Sequence, residues 1–154
     1  MEKTPDDSKA EVIIRMFPPD ANPAGNVFGG AILKHIDMVA GIVAQRHSQT
    51  NAVTVSMDKI SFLKPVFVGN VLFVRARVNY VQKSSMEIEV NVEAEDISKG
   101  TRVHTGNAYV TFVALDENGK PTLVPKLIVD NPDDQKRFDE GKLRMERRLK
   151  EREK

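Results

Sequence analysis

One long segment near the start of the chain carries apolar residues at helical spacing. Ile32, Ile36, Val39 and Val43 follow one another at steps of four, three and four residues, which predicts a helix over about residues 31–47. Three further apolar residues widen the stripe over most of the helix circumference: Leu33, Ala40 and Ala44. A helix that is apolar on several sides is expected to be buried on several sides.

Most other apolar residues alternate with polar ones, which is the period of β-strands. A β-rich segment precedes the helix, at residues 11–17, and four alternating segments follow it: residues 52–62, 71–80, 85–96 and 104–115. In the second of these four, Tyr80 is expected to face the core together with Val78. Because no helix separates the four segments, an antiparallel sheet with one wet face is favoured. The pattern therefore predicts an α+β fold, with an antiparallel β-sheet wrapped around a long central helix.

The first strand after the helix has an irregular pattern. Val55 and Met57 are expected to share one face with Val53, whereas Ile60 takes the opposite parity. Such a change of parity inside one strand predicts a β-bulge, which we place near the Asp58–Lys59 pair.

The C-terminal segment, residues 131–154, predicts a separate, highly charged helix. Asn131 suits the N-cap of this helix, and Pro132 suits its first position. Its apolar stripe is thin and consists of three residues: Phe138, Met145 and Leu149. Two interpretations stay open, a solvated helix packed weakly on its own subunit and a helix that contacts another subunit.

Composition narrows the chemistry. The formal net charge of the 154 residues is +1, so no overall field favours a nucleic-acid partner. Cysteine is absent, which excludes disulfides, thiolate catalysis and thiolate metal ligands. The three histidines are scattered and show no metal-ligand spacing, and no phosphate-binding loop is present. The polar N-terminal residues and the lack of a long apolar run predict a cytoplasmic protein without a membrane segment.

Asp37 is the one carboxylate within the apolar helix. A structural interpretation gives it a cap or a salt bridge, most simply with Lys34 one turn away. A functional interpretation makes it a general base or nucleophile in a partly dry pocket. Small residues one turn further along, Ala40 and Gly41, leave room there for another backbone or a ligand.

Two glycines stand at the start of this helix. Gly29 and Gly30 place unpaired backbone N–H groups at the positive end of the helix dipole, where they are suited to a developing oxyanion. They are equally compatible with a close approach of the loop to a strand. Asn26, just before them, is suited to orient a water or a carbonyl, or to form a turn.

The segment "PPDANPAGNVFGGAILKHIDMVAGIVAQRH", followed by "VTVSMDKISFLKPVFVGN" and "SSMEIEVNVEAED", resembles the hotdog-fold acyl-CoA thioesterases. The similarity is to the branch that contains the brain-type and cytosolic acyl-CoA hydrolases and their single-domain bacterial relatives. It covers roughly residues 8–125, with several separated motifs in the family's order. The resemblance implies a hydrolase that cleaves acyl-CoA into a fatty acid and CoA without cofactor or metal.

The resemblance also implies a division of roles. Asp37 would be the catalytic carboxylate, Asn26 would act with it from the other subunit of a dimer, and the N–H groups near Gly29 and Gly30 would polarise the thioester carbonyl. Because the brain-type enzymes carry two hotdog domains and this chain has one, a dimer is implied, with a trimer of dimers as the expected larger assembly. Contacts with CoA are expected from two short runs: Val55, Ser56 and Met57, then Ser84, Ser85 and Met86.

Four cations are candidates for the CoA phosphates, and each of them is equally suited to the wet face of the sheet: Lys64, Arg75, Arg77 and Lys83. Two other functions stay open for this chain. One is an enoyl-CoA hydratase on the same fold, which would need a histidine near Asp37, supplied by His104 if at all. The other is a regulator that binds acyl-CoA without catalysis.

Overall fold

The computed structural model describes residues 1–152, so the last two residues of the predicted C-terminal segment, 153–154, lie outside the described part. The elements follow in chain order: β1 (Glu2–Lys3), β2 (Ala10–Arg15), α1 (Gly29–Ser48), β3 (Asn51–Phe62), β4 (Val71–Gln82), β5 (Ser85–Asp96), β6 (Thr101–Leu115), β7 (Lys126–Leu127) and α2 (Pro132–Arg152). Short 3₁₀ turns lie on either side of β2.

Five strands form one sheet in the order β2-β4-β5-β6-β3, and every neighbouring pair is antiparallel. Helix α1 packs against one face of this sheet, which we call the inner face. The buried residues of α1 and alternate residues of the central strands form a single hydrophobic core. The predicted antiparallel sheet around a long helix is therefore confirmed. β1 and β7, two residues each, form a small parallel pair too short to show a sequence period.

Strand β3 contains two bulges. The predicted one is confirmed, because the pairing slips by one residue between Asp58 and Ser61, and Lys59 has a left-handed backbone with φ of 54°. A second slip, which was not predicted, makes Val55 an extra residue between its two paired neighbours. The expected common face of β3 is therefore wrong: Met57 packs against the core, whereas Val53 and Val55 are exposed.

A third bulge corrects the prediction for Tyr80. Asn79 is an extra residue in β4, since Val78 pairs with Ile88 and Tyr80 pairs with the next residue, Glu87. The extra residue turns Tyr80 to the outer face of the sheet, where its ring meets the ring of Phe138 edge-on at 4.8 Å between centroids. The two-residue alternation of apolar and polar positions in the sequence cannot show such an insertion.

Helix α2 lies on the outer face, across β4 and β5. It starts as predicted, with the N–H of Asp134 donating to Oδ1 of Asn131 at 2.9 Å. Its approach is close, because a Cβ added at Gly141 would lie 2.8 Å from Cβ of Tyr80. Met145 is buried beneath the helix. The helix therefore packs on its own subunit, and more closely than its thin apolar stripe suggests.

Candidate active site

Asp37 is half-buried on α1 and faces strand β3. The hydroxyl of Thr54 donates to Oδ1 of Asp37 at 2.7 Å. The alternative pairing with Lys34 does not form, and no cation within residues 1–152 lies in salt-bridge distance of Asp37. Thr54 carried no signal in the sequence, because a threonine between two valines is ordinary in an alternating strand.

The contacts of Asp37 are suited to proton transfer. One carboxylate oxygen is held by the Thr54 hydroxyl, which fixes the side-chain orientation, and Oδ2 has no hydrogen-bond partner among the described residues. A carboxylate with one fixed and one free oxygen can accept a proton from a water molecule that lies within hydrogen-bond distance.

The start of α1 leaves backbone donors unused. Gly29 and Gly30 are the first two helical residues, both are exposed, and the N-cap is Phe28, whose side chain cannot cap. In the described part of the chain no acceptor takes the N–H group of either glycine. Two adjacent N–H groups at the positive end of a 20-residue helix are a suitable site for a negatively charged oxygen.

Asp37 and these N–H groups of one chain cannot act on the same carbonyl group. Gly30 precedes Asp37 by seven residues, or about 10 Å along the helix axis. Helical N–H groups point towards the N-terminus, so an oxygen bound to them lies about 3 Å further away. A base that acts through one water reaches a carbonyl oxygen only about 7.5 Å away. A site that uses both groups therefore needs two copies of the chain.

Asn26 lies in the loop that leads into α1. Its N–H donates to Oδ1 of Asn22 at 3.1 Å, its carbonyl accepts from the N–H of Asn22 at 2.7 Å, and it forms a bridge with Phe67. The side-chain amide is half-buried and makes no hydrogen bond within residues 1–152. The backbone of Asn26 is thus fixed, and no hydrogen bond within residues 1–152 joins its side-chain amide to Asp37.

The residues expected to contact CoA fall into two groups. Val55, Ser84 and Ser85 line one cavity on the outer face of the sheet. The other three point elsewhere: the Ser56 hydroxyl donates to Asp58 at 3.1 Å, and the side chains of Met57 and Met86 pack in the core. For Met86, which is fully buried, a CoA contact would be limited to the backbone.

The candidate cations also divide. Arg75 forms ion pairs with Glu11 and Glu93, and Arg77 pairs with Asp134, so both guanidinium groups are already engaged within the protein. Lys64 is exposed, and Lys83 lines the same cavity as Ser84 and Ser85. Of the four, Lys83 alone lies beside the residues expected to contact CoA.

His104 is the histidine on which a hydratase would depend. His104 is exposed on β6 opposite Glu93, and no histidine within residues 1–152 hydrogen-bonds to Asp37. In the same range, no three His, Cys, Asp or Glu side chains are placed to hold a metal ion. None of the described helices has the length and apolar character needed to cross a bilayer.

Known proteins share this arrangement of elements. Residues 24–101 match the family model of the thioesterase superfamily. Cytosolic acyl coenzyme A thioester hydrolase of Rattus norvegicus is 40% identical over 137 residues, which are 88% of this chain and 36% of the rat protein. This chain thus spans about a third of that relative. The chain belongs to the thioesterase superfamily, and its fold is the hotdog fold.

Solved structures agree with that assignment. An acyl-CoA hydrolase of Staphylococcus aureus, in complex with butyryl coenzyme A, coenzyme A and coenzyme A disulfide, has a TM-score of 0.91 and 35% identity, covering 99% of this chain and 93% of that one. Alanine variants of that hydrolase at an aspartate, an asparagine and a threonine have also been solved. A hexameric acyl-CoA thioesterase has a TM-score of 0.92 and 31% identity, covering 97% and 96%.

Proposed function

We propose that this protein is an acyl-CoA thioesterase, which hydrolyses the thioester of acyl-coenzyme A to a free fatty acid and CoA at a site shared by two copies of the chain. The observation that carries the proposal is the half-buried Asp37 carboxylate, held at one oxygen by Thr54 and without an ion-pair partner among residues 1–152. The activity named for the rat and staphylococcal relatives supports the same conclusion.

In the proposed mechanism Asp37 acts as a general base. It takes a proton from a water molecule, whose oxygen attacks the thioester carbon. The negative charge that develops on the carbonyl oxygen is stabilised by the N–H groups of Gly29 and Gly30 from the second copy. The intermediate then collapses, the carbon–sulfur bond breaks, and the thiolate of CoA takes up the proton from Asp37. Asn26 orients the water or the carbonyl, and no cofactor or metal takes part.

A nucleophilic variant of this mechanism uses the same residue. Asp37 would attack the carbon directly and form a mixed anhydride, which water then hydrolyses. A single turnover in ¹⁸O-labelled water tests the anhydride route. If water attacks the Asp37 carbonyl carbon of the anhydride, one labelled oxygen stays in Asp37, whereas the general-base route leaves none there.

The shared site implies self-association, with a dimer as the catalytic unit and a trimer of dimers as the larger assembly. The separation of Asp37 from the glycine N–H groups within one chain supports the dimer. So does β3, which lies at the sheet edge with exposed apolar residues: Val53, Val55, Ile60 and Phe62. An edge strand of this kind is suited to pairing with another chain. The hexameric relative supports the larger assembly, and the rat relative's name supports a cytosolic location.

The decisive test replaces the carboxylate by an amide of the same shape. We expect Asp37→Asn to lower kcat for butyryl-CoA by a factor of about 100 to 10,000, because an amide cannot accept the proton. Release of free thiol measures the reaction, and circular dichroism with gel filtration checks fold and assembly. The control is Asp133→Asn, an exposed aspartate at the start of α2. Hydrolysis within twofold of the wild type in Asp37→Asn would overturn the proposal.

Two further assays on the same protein preparation test the alternative functions, a hydratase and a non-catalytic regulator. A hydratase would add water to crotonyl-CoA, but no histidine in the described residues hydrogen-bonds to Asp37 to support that chemistry. A regulator would bind butyryl-CoA without releasing thiol. The chain length of the acyl group is left to a panel of substrates from acetyl-CoA to palmitoyl-CoA.

A further inference from the structure

A small cavity on the outer face of the sheet carries an unusual concentration of positive charge. It measures about 180 Å³ and lies between the C-terminal turns of α2 and the hairpin that joins β4 to β5. Three cations line it, Lys83, Arg148 and Arg152, together with the hydroxyl-bearing Ser84 and Ser85. The rest of the lining is one amide and four apolar residues, and no carboxylate belongs to it in the described part of the chain.

A neighbouring cavity under α2 shares Arg148 with this one but also contains carboxylates. That cavity, of about 240 Å³, is lined by cations and carboxylates in similar numbers. Its Arg144 is bound at two nitrogens by Glu87, at 2.7 and 2.9 Å. Arg148 and Arg152, by contrast, form no salt bridge within residues 1–152. Within residues 1–152, two cations of α2 that form no salt bridge therefore line one cavity, and the guanidinium of Arg148 also donates to Sδ of Met145 at 3.0 Å.

Both walls of the cavity are fixed in place. On the hairpin side, the carbonyls of Lys83 and Ser84 accept N–H groups of Val124 and Ala114, each at 2.9 Å. These carbonyls are used within the protein, so the groups left for the cavity are side chains, among them an ammonium and two hydroxyls. On the helix side, the Glu87–Arg144 pair anchors α2 one turn before Arg148, and the buried Met145 lies between them.

One strand, β3, borders both this cavity and the candidate active site. Val55, the extra residue of the β3 bulge, lines the cavity, and the preceding residue, Thr54, holds Asp37 on the other side. A volume of 180 Å³ is below the range of about 300–1,000 Å³ typical of whole-ligand pockets. This volume suits a phosphate group better than a whole nucleotide. The lining also suits phosphate, because Arg and Lys donate short, charge-assisted hydrogen bonds to it.

We propose that Arg148 and Arg152 of α2, together with Lys83, bind phosphate groups of the CoA part of the substrate. The charged C-terminal helix thereby becomes part of the substrate-binding site, whereas its sequence alone suggested a solvated element. The inference rests on the proposed function, since it assigns a binding role for the same substrate.

The test compares two substrates that share the acyl-pantetheine part, of which only one carries the phosphorylated nucleotide. Butyryl-CoA carries the phosphorylated nucleotide, and butyryl-pantetheine carries the same thioester without any phosphate. For the double variant Arg148→Gln/Arg152→Gln we expect the KM for butyryl-CoA to rise about tenfold at unchanged kcat, a size reasonable for partly exposed ion pairs. The kcat/KM for butyryl-pantetheine should stay within twofold. The matched control is Arg147→Gln, an exposed arginine that lines the mixed cavity only.

The possible outcomes separate this inference from the proposed function. An unchanged KM for butyryl-CoA in the double variant would overturn the inference while leaving hydrolysis by the wild type intact. An equal loss on both substrates would also overturn it, because a structural effect does not depend on phosphate. An equal effect of Arg147→Gln would show a general field rather than a site, with the same consequence. Absence of thiol release by the wild type would instead refute the thioesterase assignment.

Discussion

Different interactions hold the helices on the two faces of the central sheet. On the inner face, α1 and the sheet bury a continuous set of aliphatic side chains, with Val39, Val43 and Ile88 fully inaccessible to solvent. On the outer face, α2 is held by an edge-to-face aromatic pair and by ion pairs, of which Glu87–Arg144 is the most buried. The guanidinium of Arg144 also stacks 3.7 Å from the ring centre of Tyr109.

This difference determines how each face of the sheet responds to a mutation. Burial of apolar area is non-directional, so the inner face tolerates any set of side chains that fills the space. A buried ion pair is directional, and it compensates for desolvation only while both partners are present. The inner face should therefore lose stability through cavities, and the outer face through unpaired charge.

The largest effect on stability is expected on the inner face. Ile88→Ala removes a fully buried side chain from the middle strand, and we expect the free energy of unfolding to fall by about 3 to 4 kcal/mol. Urea titration at fixed protein concentration measures it. Ile97→Ala, which truncates an isoleucine that is 53% exposed just after β5, should change it by less than about 0.5 kcal/mol. Similar losses for the two variants would contradict the view of a close-packed inner core.

A somewhat smaller effect is expected on the outer face. Arg144→Met leaves the buried Glu87 carboxylate without its partner, and we expect a loss of about 2 to 3 kcal/mol. The double variant Glu87→Leu/Arg144→Met should lose less than Arg144→Met alone, because no unpaired charge remains. Urea titrations of the two single variants and the double variant complete the cycle. If the single effects simply added, the ion pair would not be what holds α2.

The smallest effect concerns a histidine at the end of α1. His47 is fully buried, its Nε2–H donates to the carbonyl of Pro125 at 2.8 Å, and its Nδ1 has no partner among the described residues. Burial lowers the pKa of His47 below the ordinary value of 6.5. Below about pH 6.5 the unfolded chain binds a proton that the folded chain does not, so stability falls as the pH drops from 7.5 to 5.5.

The contribution of one such histidine reaches at most about 1.4 kcal/mol at pH 5.5. His47→Gln should reduce the pH dependence of the free energy of unfolding, measured by urea titration at several pH values. Part of the dependence will remain, since burial also lowers the pKa of His35. The control is His104→Gln, at an exposed position. A slope unchanged by His47→Gln but reduced by His104→Gln would contradict this assignment.

The sequence was informative wherever one local rule governed a residue. The helical stripe from Ile32 to Val43 could be predicted because α1 contacts its surroundings through one continuous apolar surface. The alternation in β5 was equally clear, and the Asn131 cap was predicted from local chemistry alone. Asp37 stood out for a related reason, because a carboxylate in an apolar helix requires an explanation.

The tertiary structure alone decided what depended on insertions and on partners distant in the chain. The bulge at Asn79 turned the side chain of Tyr80 to the outer face of the sheet. The ion pair between Glu87 and Arg144 holds α2 on that face. Thr54 became part of the candidate site only because β3 passes beside α1. Periodicity reports which side of its own element a residue occupies. Which element faces that side depends on the packing of the whole chain, and no local pattern contains it.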